Sequence, residues 1–239
     1  MADIDEPWKK AASLFEEAEQ CQQQSRFEDA EKLVAEAKNL VAGNRHACAE
    51  IDLFRAISLL KQDKREEGLR NLTAILAEYA DWLRNPDSRD VYEMVQLQRA
   101  FSLMHLGRSA EALPLLEEAS SFQLEREVRS DLHCHLGRCY HERSQYHLAK
   151  EHFERVDALG VGDDWRSVFH YYFGYTLYEL RDFQRAKRQF ILCVQSGDSS
   201  PAEPLRYAML AAASRKLGEH SEARRYDEKA KSLSRGLAK

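Results

Sequence analysis

The chain is poor in the two residues that punctuate sheet proteins: it has 10 glycines and 5 prolines in 239 residues. A sheet of many tight turns needs more of both, so the scarcity argues against a β architecture. The five cysteines, Cys21, Cys48, Cys134, Cys139 and Cys193, are odd in number and contain no Cys-x-x-Cys pair. That pattern argues against a disulfide framework and predicts a reducing, cytoplasmic setting. No apolar run approaches the roughly 20 residues needed to span a bilayer. The acidic opening "MADIDEPWKK" lacks the basic start and apolar run of a signal peptide. A soluble protein with no membrane partner is expected. The net charge is −5, so the basic excess of a nucleic-acid binder is also missing.

Catalytic signatures are equally scarce. There is no P-loop, no His-Glu-x-x-His and no Gly-x-Ser-x-Gly. "GVG" at 160–162 lacks the third glycine of a dinucleotide loop, and the adjacent Asp163 and Asp164 read as helix-start residues. "HCHLGRCYHE" gathers His133, Cys134, His135, Cys139 and His141. His135 and Cys139 stand four apart and could share a metal, but two ligands do not make a zinc site. No enzyme activity, cofactor or metal is expected.

What the chain does have is helix formers. Ala, Leu, Glu, Arg, Lys and Gln dominate, with 44% hydrophobic and 31% charged residues; this predicts an all-α protein. Its charge is uneven. Residues 1–90 hold 19 acidic and 13 basic side chains, whereas residues 181–239 hold 7 and 13. Opposite ends of this kind predict weak, salt-sensitive self-association or an acidic partner.

A repeat underlies the composition. Small residues recur as Ala18, Ala56, Ala100, Gly137, Gly174 and Ala211, spaced by 38, 44, 37, 37 and 37. Twelve positions after each comes another: Ala30, Gly68, Ala112, Ala149, Ala186 and Ala223. A small residue on each of two antiparallel helices lets the backbones approach, with larger apolar residues filling around the crossing. Four after the second small residue stand Val34, Leu72, Leu116, Phe153, Phe190 and Asp227. Asp227 suits a terminal repeat with a polar outer face.

With this spacing the sequence resembles the tetratricopeptide repeat (TPR) family. The segment "GYTLYELRDFQRAKRQFILCV" carries the family's glycine, the aromatic before the second helix (Phe183), the alanine and the later aromatic (Phe190), and Phe27 and Tyr146 match Phe183. The resemblance implies a right-handed α-solenoid of antiparallel helix pairs, here one domain over 1–239 with repeats near 8–42, 45–83, 90–122, 126–159, 164–196 and 201–235. The family often has tryptophan four positions before the first small residue. This chain has Leu14, Asp52, Gln96, His133, His170 and Tyr207 there. Helices are predicted near 7–24, 27–41, 45–61, 64–82, 90–106, 109–121, 125–143, 146–158, 164–180, 183–195, 201–217 and 220–235. "SPAE" at 200–203 reads as a capping box.

In such arrays the first helix of each repeat lines a concave groove, at positions three before, one after and four after the small residue. The resemblance therefore places Tyr171, Tyr175 and Tyr178 in the groove, with Arg138, His141, Phe101 and Met104 from preceding repeats. Phe169, Phe173 and Leu177 fall on the packing side with Gly174. Tyr and Arg are frequent interface anchors. The expected function is binding of a protein or peptide bearing apolar side chains and an acidic segment, as a scaffold or adaptor. The alternative is a peptide sensor that controls an output partner, and RNA binding is a more distant reading. The carboxylate clamp of chaperone-binding members is not expected, because Phe15 and Glu19 stand where it needs Lys and Asn.

Overall fold

The computed structural model describes residues 6–160, 166–196 and 203–237. Among them every regular element is helical. The order is α1 (Glu6–Gln23), α2 (Phe27–Leu40), α3 (Arg45–Lys61), α4 (Arg65–Glu78), α5 (Arg89–His105), α6 (Ser109–Ala119), α7 (Arg126–Glu142), α8 (Tyr146–Leu159), α9 (Arg166–Glu179), α10 (Phe183–Gln195), α11 (Glu203–Lys216) and α12 (His220–Leu237), with a 3-10 turn at Pro86–Ser88. They form consecutive antiparallel pairs, α1 with α2 through α11 with α12. Two compact units result, residues 1–122 with α1–α6 and residues 123–239 with α7–α12.

One boundary differs clearly from the sequence expectation. The fourth helix, predicted to run to 82, ends at Glu78. Tyr79 is buried, and its hydroxyl donates to Asp52 Oδ2 at 2.8 Å, which holds the chain against α3. Pro86 then keeps Asn85 out of the helical region, at φ −80° and ψ 136°. The capping box at 200–203 lies outside the described residues except for Glu203, as do Asp163, Asp164 and most of the "GVG" segment.

The turn inside each helix pair is built the same way six times among the described residues. Seven positions after the first small residue, Ser25, Asp63, Gly107, Ser144, Arg181 and Gly218 all take positive φ, between 58° and 79°. The next amide then donates back to the carbonyl five residues earlier, as in Arg26 to Cys21 at 2.8 Å and Asp182 to Leu177 at 2.9 Å. This is a left-handed helix cap that satisfies an orphan carbonyl. Only two of the six are glycine, so four repeats carry the strain of a side chain in this conformation.

All twelve small residues of the repeat are buried. A Cβ added at Gly174 would lie 2.8 Å from Phe190 Cε1, and one at Gly137 would lie 2.6 Å from Phe153 Cε1. Each ring thus fills the space its glycine leaves. Burying a phenylalanine of this kind contributes roughly 1.5–3 kcal/mol. All five cysteines are buried thiols.

Candidate functional site: the shared face of α7 and α9

In the C-terminal unit α9 divides into two faces. Phe169, Phe173, Gly174 and Leu177 are buried, while Tyr171, Tyr172, Tyr175 and Tyr178 are half-buried. The spacing 171, 175, 178 makes one stripe on the helix. The rings of Tyr171 and Tyr175 stack at 6.3 Å and 14°, and Tyr172 stands edge-on to Tyr171 at 5.3 Å. Tyr178 packs edge-on against Phe183 at the start of α10, at 5.3 Å.

Helix α7 brings Arg138 and His141 to this stripe. The Arg138 guanidinium lies 5.3 Å over the Tyr172 ring, and its Nε donates to Glu142 Oε1 at 2.8 Å. A contact of that kind contributes about 0.5–2 kcal/mol. His141 sits among the rings of Tyr146, Tyr172 and Tyr175, with centroids 4.9–5.5 Å away. Its Nδ1 is 2.8 Å from Thr176 Oγ1. Burial lowers its pKa to about 4, so the imidazole is neutral at pH 7. Burial raises the phenols of Tyr171, Tyr172 and Tyr175, which stay protonated and able to donate. Thr176 is fully buried, so this imidazole–hydroxyl pair lies beneath the ring cluster rather than at its surface.

Of the seven groove residues named from sequence, Tyr171, Tyr175, Tyr178, Arg138 and Phe101 are half-buried, and His141 and Met104 are buried. In the C-terminal unit Tyr175 meets His141 directly, Tyr171 stacks on Tyr175, Arg138 reaches the stripe through Tyr172, and Tyr178 packs instead on Phe183. Phe101 and Met104 belong to α5 of the other unit. Sequence reasoning missed Tyr172, Glu142 and Thr176. The missing signal was the offset between successive first helices. Positions one and four after the glycine of one repeat meet positions two before, one after and two after that of the next.

The histidine-rich segment of α7 is internal. His133 Nδ1 faces His152 Nδ1 of α8 at 3.1 Å, and Tyr140 stacks on His152 at 5.3 Å. Burial lowers both imidazoles, His152 to about 4, and it pushes the Cys134 thiol up to about 12. Two basic residues of α10 are engaged with carboxylates: Arg185 binds Glu154 at 2.9 Å, and Lys187 binds Glu219 and Glu222 at 2.5 and 2.7 Å. Among the described residues no helix is long and apolar enough to cross a membrane.

No family model and no curated protein sequence matches the chain. Solved structures do. The structure of PilF from Pseudomonas aeruginosa superposes with a TM-score of 0.69 at 19% identity, covering 96% of this chain and 94% of that one. A point mutant of MamA gives 0.61 at 19% identity over 80% of this chain and 99% of its own. MamA from Desulfovibrio magneticus gives 0.56 at 18% identity over 79% and 96%. These neighbours are TPR-repeat proteins. With its paired helices, recurring small residues and identical intra-pair turns, the chain has the tetratricopeptide-repeat fold.

Proposed function

We propose that the chain is a non-enzymatic protein-binding adaptor that works in the cytoplasm and recognises its partner with the α7–α9 face of the C-terminal unit. The observation that carries this reading is the half-exposed tyrosine stripe beside Arg138. Tyrosines offer wide contact at low entropy cost and keep a donor at their tips. The partner is an extended or helical segment with apolar side chains and at least one carboxylate. That carboxylate competes with Glu142 for the Arg138 fork, in the bidentate geometry guanidinium favours. His141, being neutral, holds Tyr175 and Tyr172 in place and adds no charge.

The test is capture of a partner from native lysate, then affinity and melting temperature for Tyr171→Ala, Tyr175→Ala and Tyr178→Ala. Truncating a true anchor costs about 2 kcal/mol of binding with folding nearly intact. Unchanged affinity with a lowered melting temperature makes the stripe packing and overturns the assignment.

A further inference from the structure

We propose that His46, Glu50 and Asp90 form a site for a divalent transition-metal ion, zinc(II) in the first instance, which ties α3 to the first turn of α5 in the N-terminal unit. Their ligand atoms all lie within 4.8 Å of one another. His46 Nε2 and Glu50 Oε1 are 3.3 Å apart, one turn apart on α3. Two zinc bonds of about 2.0–2.1 Å at a tetrahedral angle place their donor atoms about 3.3 Å apart, so this pair already has the spacing of two ligands. Asp90 comes from the first turn of α5 on an exposed side chain, its carboxylate within 4.8 Å of the other two.

The donor set selects the ion. Imidazole nitrogen with two carboxylate oxygens suits zinc and its transition-metal neighbours, whereas calcium and magnesium take oxygen-only sets. Three protein ligands on the surface leave the fourth position to water. The side chains carry net negative charge in either protonation state of the imidazole. Arg89, next to Asp90, pairs instead with Glu93 at 2.7 Å, and among the described residues no lysine or arginine pairs with Asp90.

The surroundings hold the ligands in place. The His46 ring meets the Trp82 ring at 5.4 Å and 90°. Ser88 Oγ donates to Trp82 O at 2.8 Å and is 2.7 Å from Asn85 O, and Asn85 Oδ1 accepts from Asp87 N at 3.2 Å. The connection between α4 and α5, which makes this repeat spacing 44 rather than 37, therefore sets both Trp82 against His46 and Asp90 beside it. The sequence expectation of no metal rested on the cysteines and histidines of α7. The three ligands here stand on two helices separated in sequence, with only the His46–Glu50 spacing visible locally.

The experiment is calorimetric titration of the full chain with zinc chloride in a non-coordinating buffer. One saturable site is expected, weakened at least about tenfold by His46→Ala and by Asp90→Asn, as removal of a ligand should be. His220→Ala, an exposed histidine on α12, leaves it unchanged. Zinc should also raise the melting temperature of the native chain and not that of Asp90→Asn, since a ligand of the folded state stabilises it. Asp90 is an exposed residue, so its variant folds even where His46→Ala loses the Trp82 contact. Absence of saturable binding up to about 100 µM zinc, or equal affinity in native chain, His46→Ala and Asp90→Asn, overturns the site.

Discussion

The two compact units share one repeat and fill it differently. In the N-terminal unit the core is mainly aliphatic, with Val34, Ile51, Leu53, Leu72, Ile75, Val91 and Val95 around the small residues and Phe54 and Tyr79 among them. Its polar centre is Asp52, which accepts from Lys38 at 2.6 Å and from Tyr79 at 2.8 Å. In the C-terminal unit the core is aromatic: Phe153, Phe169, Phe173 and Phe190 are fully buried, with ring centroids 5.5–5.8 Å apart where they meet. Its polar centres are the His133–His152 and His141–Thr176 pairs. The scaffold thus prescribes where backbones cross, and the side chains decide whether a unit answers to charge pairing or to imidazole protonation.

The sharpest way to break the contrast is at a glycine under a ring. Gly174→Leu puts a side chain where even a Cβ lies 2.8 Å from Phe190, and it should destabilise the C-terminal unit by about 3 kcal/mol. Amide hydrogen exchange followed by peptide checks this. Protection should fall in α9 and α10 and hold in α1–α6; unchanged protection would remove the glycine–ring account of the crossing.

Acid should separate the units next. His141 and His152 have folded pKa values of about 4, below the ordinary value of 6.5 for an unfolded histidine. The unfolded chain therefore binds these protons first. The stability they preserve is fully present above pH 6.5 and is lost as pH falls from 6.5 to about 4. His141, nearly fully buried, accounts for about 2–3 kcal/mol of this loss. Exchange at pH 7 and pH 4.5 should show the C-terminal unit loosening more than the N-terminal one. Replacement of His141 by Gln should reduce the difference, and equal loosening would place the acid response elsewhere.

The smallest effect tests what the units have in common. Arg181 is exposed and has φ of 63°. Arg181→Gly should gain about 1 kcal/mol by relieving a left-handed side chain. Ser25→Gly in the N-terminal unit, with φ of 59°, should gain about as much. Melting temperatures of the two variants check this, and a gain in one unit only would mean that the turns are not equivalent.

Much of the fold was legible because a small residue at a helix crossing leaves a periodic trace. The helix pairs and the buried faces followed from Ala and Gly at fixed spacing. The turns were less legible, since Asp63, Ser144 and Arg181 do not announce positive φ as Gly107 and Gly218 do. The polar interior was visible only in part. Five of the six positions where the family often has tryptophan hold Asp52, Gln96, His133, His170 and Tyr207, and each of these meets a specific partner. Gln96 donates to Tyr92 at 2.9 Å, His170 faces Gln189 at 2.6 Å, and Tyr207 packs on Tyr226 at 6.4 Å. In the last three repeats the partner, His152, Gln189 or Tyr226, stands three after the second small residue. Sequence shows that a position departs from pattern, and only packing shows what it pairs with. The site was legible in the same partial way: the tyrosine stripe is helical periodicity, but Tyr172 and Glu142 required the neighbouring helix.

The five buried cysteines make the chain a recorder of its own breathing. Each thiol lies inside the packing, Cys21 and Cys48 in one unit and Cys134, Cys139 and Cys193 in the other. With its pKa pushed up to about 12, Cys134 is almost entirely the unreactive thiol form at neutral pH. An alkylating reagent can therefore modify it only through an opening that admits water, and the rate counts those openings. Read by mass, cysteine by cysteine, the alkylated protein reports the order in which its first, second, fourth and fifth repeats open, with no residue introduced.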